Sequence, residues 1–390
     1  MSEDFSQEQQ TPALPNNTSV PNPPVPSAAP AVCAPATTAE GVFVAPLGGG
    51  LVSFSATALP GETAAALLAR LTREALRRSL GVVQSNVFGD PRLAGSFPAP
   101  EFPVALLGRH DTPAGDLRGG RVLALPQGAF ERLRGENGEA LGAVWATEKA
   151  RYLLLGALTP EDVSATPDAQ SAALWRRLKS LLESRGFALT DVVRTWFFNN
   201  HILDWYDGFN RERTAFFNEN NIFGTLVPAS TGVGASNAAG AGLSLDALAV
   251  SPLAGGVHVE AVASPLQCPA NDYRSAFSRA VEISGDGGRH LSVSGTASIE
   301  PEGATAHKDN LDAQITLSLQ VVAAILSSRG FTWCDVSRAI LYFPDISWMS
   351  HFEACRAALG LPLLPAIFAH CDICRDDLLF EIELDAFKKG

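Results

Sequence analysis

A stretch of fourteen residues occurs twice in this chain, and it limits the possible folds more than any other feature. The first copy, Leu181–Arg194, reads LLESRGFALTDVVR, and the second, Ile325–Arg338, reads ILSSRGFTWCDVSR. Equivalent residues lie 144 positions apart. Because this period is the size of a domain, the sequence predicts two related domains rather than a solenoid of short units.

Each copy lies within the same order of predicted elements. A strand that opens with arginine (Arg151 or Arg289) leads to a helix, which ends at a glycine suited to the left-handed position. An apolar strand, a second helix and a closing strand follow. For the two copies we predict strands Val192–Phe198 and Val336–Phe343, helices Leu203–Phe217 and Trp348–Leu359, and closing strands Leu243–Val250 and Leu378–Phe387. Asp191 and Asp335 are expected to cap the turn before the apolar strand.

The part before the first copy has a different composition. Residues 1–42 are rich in Pro, Ala, Ser and Thr, which predicts a disordered tail in which Cys33 has no role. Strand-like segments follow at Val82–Phe88, Pro103–Leu107 and Arg121–Leu125. We therefore divide the chain into the tail, an N-terminal domain (43–252) and a C-terminal domain (253–390).

Charge and composition exclude several classes of function. The formal net charge is −12 and no run of Lys or Arg occurs, so binding to nucleic acid or to an acidic membrane is not expected. The sequence contains no stretch of about 18 uninterrupted apolar residues, so no membrane-spanning helix is expected. The six cysteines are too few for a disulfide framework, and we expect thiols in a reducing compartment. With an N-terminus unlike a secretory signal, this predicts a cytoplasmic protein.

Several local stretches resemble the RidA (YjgF) family and, more closely, the chorismatases, which are built from tandem RidA-like domains. These stretches are Arg194–Asn199, Trp205–Arg213, Pro228–Gly234, Tyr273–Arg279, Val293–Ile299 and His370–Glu383. The resemblance covers roughly residues 80–390. It implies an α+β fold of two RidA-like (chorismate-mutase-like) mixed-sheet domains, with helices packed on one face of each sheet.

Departures from both families narrow the possible activity. RidA proteins that deaminate imines bind their substrate through an arginine in a Pro-Ala-Arg turn, but the matching positions here are Ile367 and Ser230. Imine deamination of that kind is therefore not expected. Compared with chorismatases, the 266–273 segment is short, and Cys371 replaces the usual glycine. These changes lie where the substrate should bind, so its identity stays open.

The resemblance assigns the reaction to the C-terminal domain. Strand alternation places Glu381, Glu383 and Asp385 on one face of the closing strand. The family match makes Glu381 the general acid/base, whereas we interpret Glu383 and Asp385 as solvated. An apolar surrounding would raise the pKa of Glu381. By the same resemblance, Cys374 occupies a position where a Cys is implicated in steering the reaction of chorismatases that form 3-hydroxybenzoate. The alternative interpretation is that Cys374 is a small buried hydrophobic residue without a role in the reaction.

The substrate-binding residues follow from the two carboxylates of chorismate. Arginine binds a carboxylate through two parallel hydrogen bonds. The candidate arginines are Arg213, Arg279 and Arg375, with Tyr206 and Tyr273 as hydroxyl donors and Thr231 and Gly232 in the pocket wall. On sequence pattern alone, Arg213 would face solvent. The N-terminal domain would thus supply Tyr206 and Arg213.

The resulting hypothesis is a chorismatase-like enzyme with a small anionic substrate, no cofactor and no metal, as a monomer or a trimer. One Cys-x-x-Cys pair, Cys371 and Cys374, lacks the second ligand pair that a zinc site requires. Two alternatives stay open. One is a RidA-like hydrolase or deaminase acting on another small acid, and the other is a small-molecule-binding protein without catalytic activity.

Overall fold

The computed structural model describes residue 33 and residues 35–390, except 97–99 and 271–274. In these residues the chain forms three six-stranded mixed sheets and five α-helices. This confirms the predicted α+β class. The sequence predicts one domain over residues 43–252, but this segment carries two of the sheets, so three similar units follow one another along the chain.

The first unit contains one helix and the sheet β1-β2-β5-β3-β4-β11. Its strands are β1 Phe43–Gly48, β2 Leu51–Thr57, β3 Leu80–Gly89, β4 Val104–Gly108 and β5 Leu117–Pro126, and its helix is α1 Ala64–Leu76. The short edge strand β11, Ser236–Asn237, comes from the second unit and pairs with β4.

The second and third units each carry two helices. The second has β6 Phe130–Arg134, β7 Ala140–Ala146, β8 Ala150–Leu158, α2 Pro167–Ser184, β9 Val192–Asn199, α3 Ile202–Glu219, β10 Ala229–Val233 and β12 Leu243–Pro252. The third has β13 His258–Val262, β14 Ala280–Ser284, β15 Gly288–Ala297, α4 Leu311–Ser328, β16 Val336–Phe343, α5 Met349–Ala358, β17 Ala366–His370 and β18 Glu381–Lys389. The two sheets have equivalent strand orders: β6-β7-β8-β12-β9-β10 in the second unit corresponds to β13-β14-β15-β18-β16-β17 in the third.

The predicted turn between helix and strand is confirmed in both copies. Gly186 and Gly330 have φ values of 70° and 71°, in the left-handed region that glycine tolerates best. The Asp191 carboxylate accepts a hydrogen bond from the Ala188 N–H at 2.9 Å, and Asp335 accepts one from Thr332 at 2.8 Å. In the first unit, Ser79 takes the left-handed position after α1 (φ 57°). The glycine signature is therefore missing there, and the repeat in the sequence does not reveal this unit.

The three units pack head to tail in a ring. Strand β4 of the first unit lies beside β8 of the second, β10 beside β15 of the third, and β17 beside β2 and β5 of the first. One core fills the centre of the ring, with Phe88, Trp196 and Tyr342 contributed by the three sheets in turn. The helices cover the outer face of each sheet. The clefts between adjacent units are therefore the places where residues from two sheets can meet.

The N-terminal segment differs from the prediction. The tail was expected to reach residue 42, but residues 35–42 are ordered: Val42 is buried, and the Val44 N–H donates to the Ala36 carbonyl at 3.0 Å. Residues 1–32 and 34 lie outside the described residues. The expectation of thiols throughout is wrong for one pair, because Cys33 forms a disulfide with Cys334. A bridge across 301 positions depends on the tertiary fold and cannot be inferred from cysteine spacing.

One helix in the described part of the chain, α4, is long and apolar enough to cross a membrane. Eight of its residues, among them Ile315, Val322 and Ile325, are buried against the third sheet. Its apolar character is thus used in the core of the third unit.

Candidate functional site

A cleft lies between the second and third units and brings together most of the predicted site residues. Its lining includes seven of them: Tyr206, Arg213, Gly232, Arg279, Cys374, Arg375 and Glu381. Seven further residues were not predicted: Phe209, Ser230, Phe277, Gly295, Ala297, Ile299 and Leu378. Tyr273 lies outside the described residues. The second unit contributes one wall and the third unit the other, as the resemblance implies.

Glu381 begins strand β18 at the floor of the cleft and is only 5% exposed. Burial, with a further contribution from the charge of Glu383, raises the pKa of the Glu381 carboxyl to about 8, although Arg194 and Arg279 oppose this shift. Among the described residues, no group donates a hydrogen bond to this carboxyl. Glu381 is therefore a neutral acid near pH 7, with its proton available to a molecule in the cleft.

Gly295 on β15 leaves the space that the Glu381 carboxyl occupies. A Cβ atom at this position would overlap Glu381 Oε1 and would lie 3.2 Å from Thr231 Cγ2. Thr231 itself is buried behind the wall, where its hydroxyl accepts hydrogen bonds from Arg194 Nη2 at 2.6 Å and from the Gly295 N–H at 3.0 Å. The structure thus places Thr231 against the backbone that supports Glu381, and not in the lining of the cleft.

Three guanidinium groups line the cleft. Arg213 on α3 is 3% exposed, so the alternative that it faces solvent is wrong, and it donates to Asn210 Oδ1 at 2.5 Å. Arg279 donates to the Cys268 carbonyl through Nε at 3.1 Å and Nη2 at 2.9 Å. Arg375 lies in the turn that precedes β18 and donates to the Gly303 carbonyl at 2.8 Å. The acceptors of these hydrogen bonds are backbone or amide oxygens, which orient each cation.

Tyr206 and Cys374 form a second polar pair in the lining. The Tyr206 hydroxyl lies 3.4 Å from Ser275 Oγ. Burial raises the pKa of Tyr206, and the charge of Cys374 adds to this effect. Burial and the charge of Glu381 raise the pKa of the Cys374 thiol to about 12. Both groups are therefore neutral hydrogen-bonding groups near pH 7, and Cys374 is not a thiolate nucleophile.

Glu383 and Asp385 were expected to be solvated, and this is wrong. They are 0% and 2% exposed because β18 is a central strand whose polar face points into the ring and not to solvent. Glu383 pairs with Arg194 at 2.7 Å and with Arg338 at 2.8 Å. Burial alone would raise the pKa of Glu383, but these arginines hold it below its usual range. Asp385 pairs with Arg338 at 2.5 Å and with His290 at 2.8 Å.

Strand register shows that only the third unit carries an acid at the cleft. Tyr342 on β16 pairs with Glu381, and its equivalents in the second and first units, Phe198 and Phe88, pair with Ser244 and Gly119. The positions that match the catalytic candidate thus hold a hydroxyl and a glycine. Of these three equivalent positions, the one in the third unit is the one that holds an acid.

No group of three or more His, Cys, Asp or Glu side chains that could hold a metal ion occurs in the described ranges. The titratable groups in the lining of the cleft are one neutral carboxyl, three guanidinium groups, a phenol and a thiol. This set can bind an anion and move a proton.

The buried Glu381 predicts a specific dependence of stability on pH. Because its folded pKa of about 8 exceeds the ordinary 4.5, the folded state binds more protons than the unfolded state between these values. The free energy of unfolding should therefore fall as pH rises through this window, by up to about 1.4 kcal/mol per pH unit relative to Glu381→Gln. Urea unfolding of both proteins from pH 5 to 9 measures this difference. A constant difference would contradict the burial of a neutral Glu381.

Comparisons with known proteins place this fold. No family model and no curated protein matches the chain. Among solved structures, a chorismatase is 20% identical and covers 88% of this chain and 99% of that chain, with a TM-score of 0.63. A YjgF/YER057c/UK114 family member from Mycobacterium tuberculosis is 25% identical and covers 34% of this chain and 100% of that chain, with a TM-score of 0.27. A putative endoribonuclease from Thermotoga maritima is 21% identical over 34% of this chain and 98% of that chain, with a TM-score of 0.29. The chain thus has the chorismatase fold, which confirms the fold that the sequence resemblance implies.

Proposed function

We propose that this protein is a chorismatase-type enzyme that releases pyruvate from chorismate or a close relative. The observation that carries the proposal is the neutral, buried Glu381 in one cleft with Arg213, Arg279 and Arg375. Chorismate carries two carboxylates and an enolpyruvyl ether, which require cationic partners and a proton donor. The chorismatase fold agrees with this chemistry.

In the proposed reaction, Glu381 protonates the methylene carbon of the enolpyruvyl ether. Water then adds to the resulting oxocarbenium carbon, and collapse of the hemiketal releases pyruvate while the ring keeps the ether oxygen as a hydroxyl. A proton returns to Glu381 in these steps. The ring product is a dihydro-dihydroxybenzoate, or a hydroxybenzoate if one molecule of water is also lost. The arginines bind the carboxylates and fix the ether near the acid.

Cys374 is proposed to influence which ring product forms. It lines the cleft, and it matches a position that is implicated in steering chorismatases that form 3-hydroxybenzoate. A thiol with a pKa of about 12 acts here as a neutral group of defined size beside the ring, near Tyr206. Thr231 is proposed to support Glu381 through Gly295 and not to contact the substrate.

The test is to incubate purified full-length protein with chorismate, to follow pyruvate by a coupled lactate dehydrogenase assay, and to identify the ring product by mass spectrometry. We expect one pyruvate per chorismate. Absence of pyruvate would reject the enzyme. In that case, stabilisation by keto or imino acids but not by chorismate would favour a hydrolase or deaminase acting on another small acid. Binding of chorismate without turnover would favour a protein that only binds it.

The assembly and location are proposed on separate grounds. Because three units already close a ring within one chain, we propose a monomer, and light scattering after gel filtration measures its mass. We propose a small anionic ligand as the only partner, with no nucleic acid and no membrane. The cytoplasmic location expected from the sequence conflicts with the Cys33–Cys334 disulfide, since such bonds are rare in the cytosol and favour an oxidising compartment. Fractionation distinguishes the two locations.

A further inference from the structure

The segment 275–279 of the third unit crosses the cleft boundary and is fixed to the second unit. The Ser278 N–H donates to the Pro228 carbonyl at 3.0 Å, and Ser278 Oγ donates to the Val227 carbonyl at 2.7 Å. Ser294 Oγ donates to the Ser278 carbonyl at 2.6 Å. These three hydrogen bonds hold the backbone next to Phe277, so the position of this ring is set by both units.

Phe277 is half-buried and lies between two arginines that come from opposite walls of the cleft. The Cζ atom of Arg279, in the third unit, is 5.5 Å from the centroid of the Phe277 ring. The Cζ atom of Arg213, on α3 of the second unit, is 5.9 Å from the same centroid. Both distances are within the range of about 6 Å in which the face of an aromatic ring attracts a cation.

This shared contact affects how two like charges are held within one cleft. Two guanidinium groups repel each other, and the repulsion increases where water is excluded. Attraction to the Phe277 ring offsets part of the repulsion and helps to restrict the rotamers of both side chains. Phe209 assists on one side, because Arg213 Cζ also lies 5.0 Å from the centroid of that ring. A ligand with two carboxylates then meets two cations at a prepared separation, whereas a ligand with one carboxylate uses only one of them.

We propose that Phe277 is a positioning residue that makes the cleft selective for dicarboxylates, by holding Arg213 and Arg279 at one separation. The inference deepens the proposed function, since chorismate is a dicarboxylate. It applies equally to any other ligand with two carboxylates. Phe277 adds selectivity and takes no part in proton transfer, which stays with Glu381.

The test measures ligand selectivity in full-length protein by calorimetry. The probes are isophthalate, with two carboxylates, and benzoate, with one, and wild type should prefer isophthalate. In Phe277→Leu the ratio of the two affinities should fall about tenfold, a change within the range of one cation–π contact. The affinity for benzoate should change less than about twofold, because a ligand with one carboxylate uses only one of the two arginines. With chorismate, KM should rise about tenfold and kcat should stay within about twofold, because the ring affects binding more than protonation.

Two further variants separate the ring from its volume. Phe277→Tyr keeps an aromatic face and should keep the wild-type ratio. Phe277→Met replaces Phe277→Leu if that variant does not fold. Phe223→Leu is the matched control, because Phe223 is a partly exposed phenylalanine that does not line the cleft.

The outcomes distinguish this inference from the proposed function. Equal loss of both affinities in Phe277→Leu, an unchanged ratio, or a wild type without dicarboxylate preference would overturn the role of Phe277. If the wild type prefers isophthalate and Phe277→Leu reduces this preference, but chorismate releases no pyruvate, the proposed function is rejected and the inference is kept. If chorismate is turned over but Phe277→Leu leaves the ratio of isophthalate to benzoate affinity unchanged, the inference is rejected and the proposed function is kept.

Discussion

Replacement of Glu381 by glutamine should reduce the rate of pyruvate release by about 10²–10⁴-fold, the usual contribution of a general acid/base. Glutamine has nearly the same shape but cannot release a proton to the enol ether. The loss should appear in kcat, while the affinity for chorismate, measured by calorimetry, should change little. In the wild type, activity should decrease as pH rises through about 8, because the carboxyl then ionises. The Gln variant should not show this limb in its residual activity.

Two comparisons make the Glu381→Gln result interpretable. Glu136 is exposed in a turn of the second unit, and Glu136→Gln should keep the wild-type rate. Circular dichroism and the unfolding midpoint should show that Glu381→Gln is folded, since the substitution removes no hydrogen bond among the described residues. Full activity in a folded Glu381→Gln variant would remove Glu381 from the reaction and the main support from the proposed function.

Replacement of Glu383 by alanine should lower the free energy of unfolding by about 3–5 kcal/mol, the cost of breaking a fully buried ion pair. Arg194 and Arg338 each bond to this carboxylate, and all three side chains are at most 1% exposed. Trp196 Nε1 also donates to it at 3.0 Å. Without Glu383, the buried Arg194 loses its main counter-charge, and Arg338 keeps only its pairing with Asp385. Urea unfolding monitored by tryptophan fluorescence measures the change.

The control for Glu383→Ala is an ion pair of similar length on the surface. Glu353 pairs with Arg356 at 2.8 Å, but its side chain is 46% exposed. Glu353→Ala should change the free energy of unfolding by less than about 1 kcal/mol, since solvent screens such pairs. A similar small effect of Glu383→Ala would mean that water enters the ring and solvates the two arginines.

Local signals in the sequence predicted the second and third units well. The strand predicted at Val336–Phe343 has the same bounds as β16, and the helix and strand after Gly186 were also placed correctly. These elements have strong local signals, namely an apolar run bounded by a glycine cap and a polar turn. The first unit was not recognised as a copy because Ser79 replaces the glycine of the turn.

Alternation of polar and apolar residues failed on β18. The pattern places Glu381, Glu383 and Asp385 on one face, but it does not show whether that face contacts water or another sheet. Each acid has a different environment: Glu381 faces a cleft, and the other two meet arginines. The two arginines, Arg194 and Arg338, occupy equivalent positions in the repeat. That equivalence was visible in the sequence and was a usable signal for a shared polar centre.

The aromatic wall of the cleft was also missed. Phe209 and Phe277 both lie in stretches that carry the family resemblance, close in sequence to the candidate residues Arg213 and Arg279. A phenylalanine in an apolar-rich sequence is normally assigned to the core, so sequence alone gives no reason to place it in a binding site. Its proximity to arginines on two units depends on the tertiary fold.

The head-to-tail ring also has a consequence for the newly made chain. Strand β17 packs beside β2, yet 309 positions separate Ala366 from Thr57. At 5–20 residues per second, synthesis of this interval takes about 15–60 s. For all of that time, the face of the first sheet that receives β17 has no partner from its own chain, and Cys33 exists before Cys334 has been made. Two neighbouring nascent chains can then exchange their third units. Slow translation, or translation by closely spaced ribosomes, should therefore favour domain-swapped dimers over single chains with a closed ring.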